Sequence, residues 1–513
     1  MIMLDTTVVN VSLPWMAFDL ALTTSDTQWV VAAYSLGFAA LLIVFGRLAD
    51  RVGRRRVFVA GAAGFVLASA LIGFAVSTAQ VVAGRALQGF AAAAMMPAAL
   101  SIINATFVGR NRGIAFAVWG GATGGMAAVG PLVGGWLTTD HSWHWAFFLN
   151  LPIALVTIAG VLRKLPESRD PEARGGGDWP GNLLSIAGVG LLAFALIEGE
   201  RYGWVLARTE FTVGGLVWPR GWVALSFIAF WLGLLALIAF VRMEQARANA
   251  GKVVLLDLSL FAIRSFRNGT VVALIVSFGE FGLLYVLPLH VQGVLGYSPL
   301  ETGTMLLALA VGSFVSSGLG ARGSHKHGAV RLLQVGMLLE ALAIGWIGLV
   351  VTATTEISGF VLPVFVYGLG IGFATAQLTG VILRDVPAEV SGQASAVQST
   401  ARQIGAAIGT AILGSILAGT TSHSLVGRLQ EIGVKPDLVT VYSDFVTDTA
   451  GQLIQFLILQ PQGELLVAAA RDAFTSGTRW VALAATVLVG VGFAASLRLR
   501  VNQPESSEAE QHF

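Results

Sequence analysis

Fourteen apolar stretches follow one another along this chain, at 1–18, 28–48, 57–76, 80–106, 113–137, 145–162, 182–199, 221–241, 267–290, 302–320, 330–350, 358–383, 402–419 and 480–498. Most approach the roughly 20 residues that a helix needs to cross a bilayer. Lipid offers no partner to an open backbone, so each stretch must satisfy its own hydrogen bonds as a helix. Composition agrees with this reading. Of 513 residues, 55% are hydrophobic and 12% charged, about half the charged share of a soluble domain. The chain reads as an all-α polytopic membrane protein. Its weakest stretches are 1–18, which is short, 182–199, which ends in Glu198, and 402–419, which is rich in Gly and Ala.

Several function classes drop out at once. Cysteine is absent, which removes disulfides, thiol nucleophiles and cysteine metal sites. The seven histidines are scattered, and the one close pair, His325 and His327, sits in a basic loop, so no metal site is expected. No phosphate-binding loop of the Gly-x-x-x-x-Gly-Lys-Ser/Thr form occurs, which argues against an ATP-driven pump. No nucleophile–base arrangement or cofactor motif stands out, so neither an enzyme nor a cofactor is expected. The net charge of +2 gives no footing for nucleic acid, because the basic residues fall in short loops between apolar runs. Arginine outnumbers lysine 27 to 4, a hint of a GC-rich bacterial genome.

Those loops set the orientation. Alternate loops, together with the segment after the last helix, carry 23 Lys and Arg, the opposite side carries 7, and Arg85 alone is left inside a helix. Basic residues concentrate on the cytoplasmic side. Both termini are therefore expected in the cytoplasm and the protein in the bacterial inner membrane. Residues 166–181 read as a polar linker and 502–513 as a disordered tail. Segment 420–479 is the one sizeable extramembrane piece, with an amphipathic helical stretch from Leu453 to Leu466. Met1 opens directly into the first apolar run. The expectation is that the true start lies upstream, with a naturally short first helix as the alternative.

The loop after the second helix reads Gly46-Arg47-Leu48-Ala49-Asp50-Arg51-Val52-Gly53-Arg54-Arg55-Arg56. The two glycines permit close approach and a tight turn, and Asp50 can cap a helix or pair with an arginine across a seam. Simple positive-inside anchoring is the plainer reading, but the Gly-x-x-x-Asp-x-x-Gly spacing is more restrictive than a charge count. This loop resembles the signature loop of the major facilitator superfamily, with Gly46, Asp50, Arg51, Gly53 and Arg54 as gating residues. Three further stretches agree. Leu4 to Pro14 (LDTTVVNVSLP) is similar to the first-helix motif of the 14-helix drug:proton antiporters of the EmrB/QacA type, with Ser12 where Ala is usual. Arg85-Ala-Leu-Gln88-Gly89 resembles the helix-four motif. Gly130-Pro131-Leu-Val-Gly134-Gly135 resembles the antiporter motif of helix five.

The resemblance implies a major facilitator fold: a six-helix half at 1–163, a linker with two additional helices at 164–266, a second half at 267–498 containing the long loop 420–479, and a tail at 499–513. The halves would enclose a midplane cavity and rock about it. The second half departs from the pattern, placing His325 where Asp50 stands in the first.

Charge is costly at membrane depth, so ionisable residues inside helices are functional candidates. Asp5, Arg85, Glu280 and Glu340 qualify. The fold would put Asp5, Arg85 and Glu280 on cavity-lining helices, and these three are the proton- and substrate-coupling candidates. Glu340 falls on a peripheral helix and reads as structural, as does Glu198 near the end of helix seven. The short first segment would leave Asp5 near the inner mouth. Burial disfavours the charged form of a carboxylate, so one acid can hold either a proton or face a cation. Gln88 and Met96 share a helical face with Arg85 and Ala92 and are cavity candidates; the plainer reading of Met96 is packing against lipid or a neighbour. Gly120, Gly121, Gly124 and Gly125 join Gly130, Pro131 and Gly134 on one helix, for close packing and, as the resemblance implies, a hinge that seals against proton leak.

The expected function is proton-coupled export of small amphipathic, often cationic compounds, by a monomer in the bilayer. The alternatives are a dedicated exporter of one endogenous metabolite or self-made antibiotic, and a non-transporting sensor or scaffold on the same fold.

Overall fold

A computed structural model describes residues 1–106, 126, 129–169, 178–208, 210–213, 216–252, 254, 256, 258–386 and 391–499. The first part of the chain forms α1 (Ile2–Asp19), α2 (Thr24–Val52), α3 (Arg54–Gly73), α4 (Thr78–Thr106), α5 (129–140), α6 (His144–Phe148) and α7 (Asn150–Lys164). Then come α8 (Trp179–Tyr202) and α9 (Leu225–Asn249), joined by a loop with a two-stranded hairpin, β1 (Phe211–Val213) and β2 (Leu216–Trp218), in which Phe211 pairs with Trp218. The remainder forms α10 (Arg264–Leu289), α11 (Pro299–His327), α12 (Ala329–Val350), α13 (Ser358–Leu383), α14 (Ser391–Glu431), α15 (Pro436–Asp448) and α16 (Gly463–Ser496).

Local chemistry sets the helix boundaries, and it repeats. Thr23 and Asp26 form a reciprocal capping box that starts α2, and Ser298 and Glu301 form one that starts α11; each satisfies two backbone or side-chain donors at a helix start. Both helices are 29 residues long. Both end at a glycine with positive φ, Gly53 at 130° and Gly328 at 83°, a conformation that a side chain disfavours. The next helix, α3 or α12, begins at once. In the first part α4 packs along α2 and α3; in the last part α13 packs along α11 and α12; α8 and α9 pack on each other. The chain thus carries two similar helix bundles with an extra helix pair between them.

Eleven helices among the described residues are long and apolar enough to cross a membrane. The fifth expected stretch, 113–137, lies largely outside the described residues, as do Gly120, Gly121, Gly124 and Gly125. Two expectations need correction. Stretch 402–419 is the middle of α14, which begins at Ser391; its first turns are small and polar and so escape a hydropathy reading. Segment 420–479 is no loop. α14 runs on to Glu431, α15 covers Pro436–Asp448, a 3-10 turn covers Ile454–Leu459, and α16 starts at Gly463. Leu453 to Leu466 is accordingly not one helix: Gln462, at φ 62°, breaks it before α16.

Candidate functional site

The first bundle buries an ion pair. Arg85 lies seven residues, about two turns, into α4. Its Nη1 donates to Asp5 Oδ2 of α1 at 2.7 Å, with side chains 2% and 1% exposed. Neither group could sit there alone, because an unpaired buried charge is very costly. The surroundings complete the pairing. Arg85 Nε donates to the Val30 carbonyl at 3.0 Å and Nη1 also to Gln88 Oε1 at 2.8 Å. The guanidinium carbon lies 4.4 Å from the centre of the Tyr34 ring, within cation–π range. Asp5 Oδ1 accepts from Gln88 Nε2 at 3.1 Å and from Asn150 Nδ2 at 2.7 Å. Ser69 Oγ accepts from the same two amides. Helices α1, α2, α3, α4 and α7 thus converge on one carboxylate. Both oxygens of that carboxylate accept a hydrogen bond.

The second bundle holds a counterpart. Glu280 of α10 is 7% exposed, and its Oε2 lies 3.4 Å from Arg402 Nη2 of α14. Arg402 Nε donates to Ser277 Oγ at 3.2 Å, and the Tyr367 hydroxyl donates to the Glu280 carbonyl at 3.1 Å. Glu340 of α12 is wholly buried and within electrostatic reach of both Glu280 and Arg402.

The glycine-rich stretch of α5 lies where the two bundles meet. A Cβ at Gly134 would come within 2.9 Å of Val8 Cα, and one at Gly130 would strike the Thr7 side chain, so α1 and α5 touch backbone to backbone. A Cβ at Gly135 would meet the Pro299 carbonyl at 2.5 Å, and one at Gly303 would strike the Pro131 carbonyl. These small residues let α5 and α11 close on each other. Hydrogen bonds join the bundles at this same end: Thr27 hydroxyl with Tyr285 hydroxyl at 2.7 Å, Gln292 Nε2 to the Val11 carbonyl at 2.9 Å, and Leu300 N–H to Thr139 Oγ1 at 3.1 Å.

At the other end of α2, the loop around Gly53 is fastened by Glu167. Its Oε1 accepts from Arg55 N–H at 3.0 Å, and the Arg54 N–H donates to the Ser168 carbonyl at 2.9 Å. An acidic group there answers the exposed donors and dipole of the start of α3. A Cβ at Gly53 would come within 2.6 Å of the Glu167 carboxyl carbon. Gly46 faces Pro97 of α4, and Arg51 is exposed. The side chains of Asp50 and His325 lie outside the described ones.

The structure thus brings Asp5, Arg85 and Gln88 into one cluster, with Asp5 in the first turn of α1 and Arg85 two turns into α4. Gly130, Pro131, Gly134 and Gly135 gather at the seam. Met96 is half-buried and packs against the cluster of Tyr34, Phe38 and Phe65. Glu198 accepts from Trp29 Nε1 at 2.8 Å, tying α8 to α2. The sequence reading missed Ser69, Asn150, Glu167 and Arg402. It also counted Arg402 as a loop cation, leaving Arg85 as the one basic residue in a helix; the structure places both inside helices. A helical continuation upstream of 402, through Ala394 and Gln398, was the signal available. A further cavity of about 280 Å³, mainly apolar, opens between α2, α4, α8 and α14, with Trp29, Phe90, Ser185 and Thr400 among its lining.

Comparison with known proteins agrees. A sequence model of the Major Facilitator Superfamily matches residues 1–410. The chain is 36% identical over 433 residues to the puromycin resistance protein pur8 of Streptomyces alboniger, covering 83% of this chain and 81% of that one. It is 31% identical over 518 residues to the multidrug efflux pump LfrA of Mycolicibacterium smegmatis, covering 96% and 94%. Its fold matches the inward-facing, unoccupied crystal structure of a bacterial homologue of the human lysosomal transporter Spinster, with a TM-score of 0.59 at 15% identity and coverage of 97% and 94%. The chain belongs to the major facilitator superfamily.

Proposed function

We propose that the protein is a proton-driven antiporter that exports small amphipathic, often cationic compounds across the bacterial inner membrane. The observation that carries this reading is the buried Asp5–Arg85 pair, in which an acid able to carry a proton ties α1 to α4 and α7. The likeness to a multidrug efflux pump supports the substrate class. Residues 1–163 and 267–498 serve as the two halves that rock, 164–266 as the linker with its extra helix pair, and 499–513 as the tail. The lysine and arginine distribution supports cytoplasmic termini. In that orientation the closed seam at Thr27, Tyr285 and Gly303 faces outward, and the protein stands in its inward-facing state. A single chain suffices for this cycle.

The likeness to a protein named for resistance to one antibiotic favours a second reading, a dedicated exporter of one compound. A drug-susceptibility panel in an efflux-deficient host separates the two by the breadth of protection. Coupling itself is tested in everted vesicles acidified by respiration. Adding substrate should dissipate part of the proton gradient. Export that survives collapse of the gradient, yet stops on ATP depletion, overturns the reading.

A further inference from the structure

Glu340 is the least accommodated charge-bearing group in the second bundle. It lies in mid-helix on α12, is 0% exposed, and both of its carboxylate oxygens lack a hydrogen-bond donor among the described residues. Asp5 makes the contrast, with three donors shared between its two oxygens. α12 and α13 are pressed together here. A Cβ at Gly370 would come within 2.6 Å of the Glu340 nitrogen, and one at Gly336 would meet the Ala374 nitrogen at 2.5 Å. The titratable groups within electrostatic reach of Glu340 are Glu280 from α10, Tyr367 from α13 and Arg402 from α14. Arg402 is the one cation of this cluster and is already engaged by Glu280.

Two carboxylates lie within electrostatic reach of one guanidinium in an apolar bundle, and Glu280 is the one in contact with it. Were both ionised, the cluster would carry an uncompensated negative charge on Glu340 with no donor among the described residues to hold it, which burial strongly disfavours. Like charges at close quarters cannot both persist, and such pairs hold a proton between them.

We propose that Glu340 and Glu280 form a second proton-holding site, distinct from the Asp5–Arg85 site, in which one proton resides on the carboxylate pair and Arg402 balances the remaining charge. The idea rests on the proton-driven reading above and adds to it where a second proton is carried. With Glu280 ionised, Arg402 charged and Glu340 protonated, the cluster is neutral. When a cationic substrate approaches, the proton leaves Glu340 for water and the new carboxylate faces the cation. The total charge of cluster and substrate site returns to its starting value, which is the condition for a low-cost exchange in lipid. Glu340, assigned a structural role on sequence grounds, thereby becomes a coupling residue.

The test is proton release on substrate binding, in lightly buffered detergent with tetraphenylphosphonium as the probe. Glu340→Gln keeps the size and removes the titratable group. It should still bind the probe but release about one proton fewer per bound cation than the wild type. Asp5→Asn should retain the Glu340 proton release. Equal release by wild type and Glu340→Gln overturns the second site while leaving proton coupling intact. No release by the wild type overturns both readings together. Infrared spectroscopy of the wild-type protein covers the case in which the variant does not fold. A protonated-carboxyl C=O band should be present before the probe is added and diminish afterwards. Its absence in the unliganded protein overturns the proposal without any variant.

Discussion

Asp5 and Arg85 form a buried pair that ties α1 to α4 and that the proposed cycle would have to disturb. Asp5→Asn keeps the shape and one acceptor but leaves Arg85 charged and 2% exposed without a counter-ion. Breaking a buried pair from one side costs about 3–5 kcal/mol. We expect a lower unfolding midpoint in detergent together with loss of gradient-driven transport. A variant as stable as the wild type and still coupled would remove Asp5 from both roles. Glu280 differs, since Arg402 approaches it at 3.4 Å and is itself 22% exposed. A bound cation can compete with that partner. A charge-assisted contact contributes about 1.5–3 kcal/mol, roughly a tenfold to hundredfold change in affinity. Glu280→Gln should therefore reduce resistance to a lipophilic cation more than to a neutral compound, in cells with matched expression. Equal loss for both points to proton handling alone, and no loss for either to a purely structural acid. At this scale the sequence revealed the residues whose type is costly in lipid, Asp5, Arg85, Glu280 and Glu340. It concealed their partners. Ser69 and Asn150 are ordinary residues in apolar helices, and Arg402 follows a polar run that resembles a loop until the fold extends α14 upstream.

Helix ends were legible where a residue type enforces them. Gly53, with φ 130°, separates α2 from α3 as its turn predicts, whereas the Thr23–Asp26 and Ser298–Glu301 pairs that start α2 and α11 went unread, the stretches being placed at 28 and 302. Helix lengths were not legible, because hydropathy reports the solvent of a segment and not its hydrogen bonding. α14 and α16 run for 41 and 34 residues, longer than a bilayer requires, and their projecting turns were taken for loop. Asp50 lies in the last turn of α2, 23 residues and about 35 Å from Thr27 at the closed seam. From there it can bias which state is populated but cannot touch a molecule bound near the middle. Asp50→Asn should lower turnover more than equilibrium binding, measured in parallel by transport in vesicles and binding in detergent. Normal transport, or lost binding at normal turnover, contradicts a gating role for this turn.

The whole molecule carries two bundles that meet in a set of close contacts at one end, and under the proposed cycle these contacts part for export. Pro131, Gly135, Pro299 and Gly303 touch through backbone atoms there, and Leu300 N–H donates to Thr139 Oγ1 at 3.1 Å. Packed interfaces of this kind are bistable and do not stretch by degrees. A covalent link across the seam should therefore trap one state outright. The chain contains no cysteine, so Thr139→Cys with Glu301→Cys introduces one exposed pair into a silent background. Linking the two with a short, reducible bis-thiol reagent should abolish transport, and reduction should restore it. Each single-cysteine variant treated with the same reagent should keep its activity, which separates trapping from chemical damage. Binding of substrate from the opposite side should survive the link, because the trapped state is the one in which that side is accessible. Wild-type transport by a fully linked protein would show that the α5–α11 end does not open, and rocking about this seam would have to be abandoned.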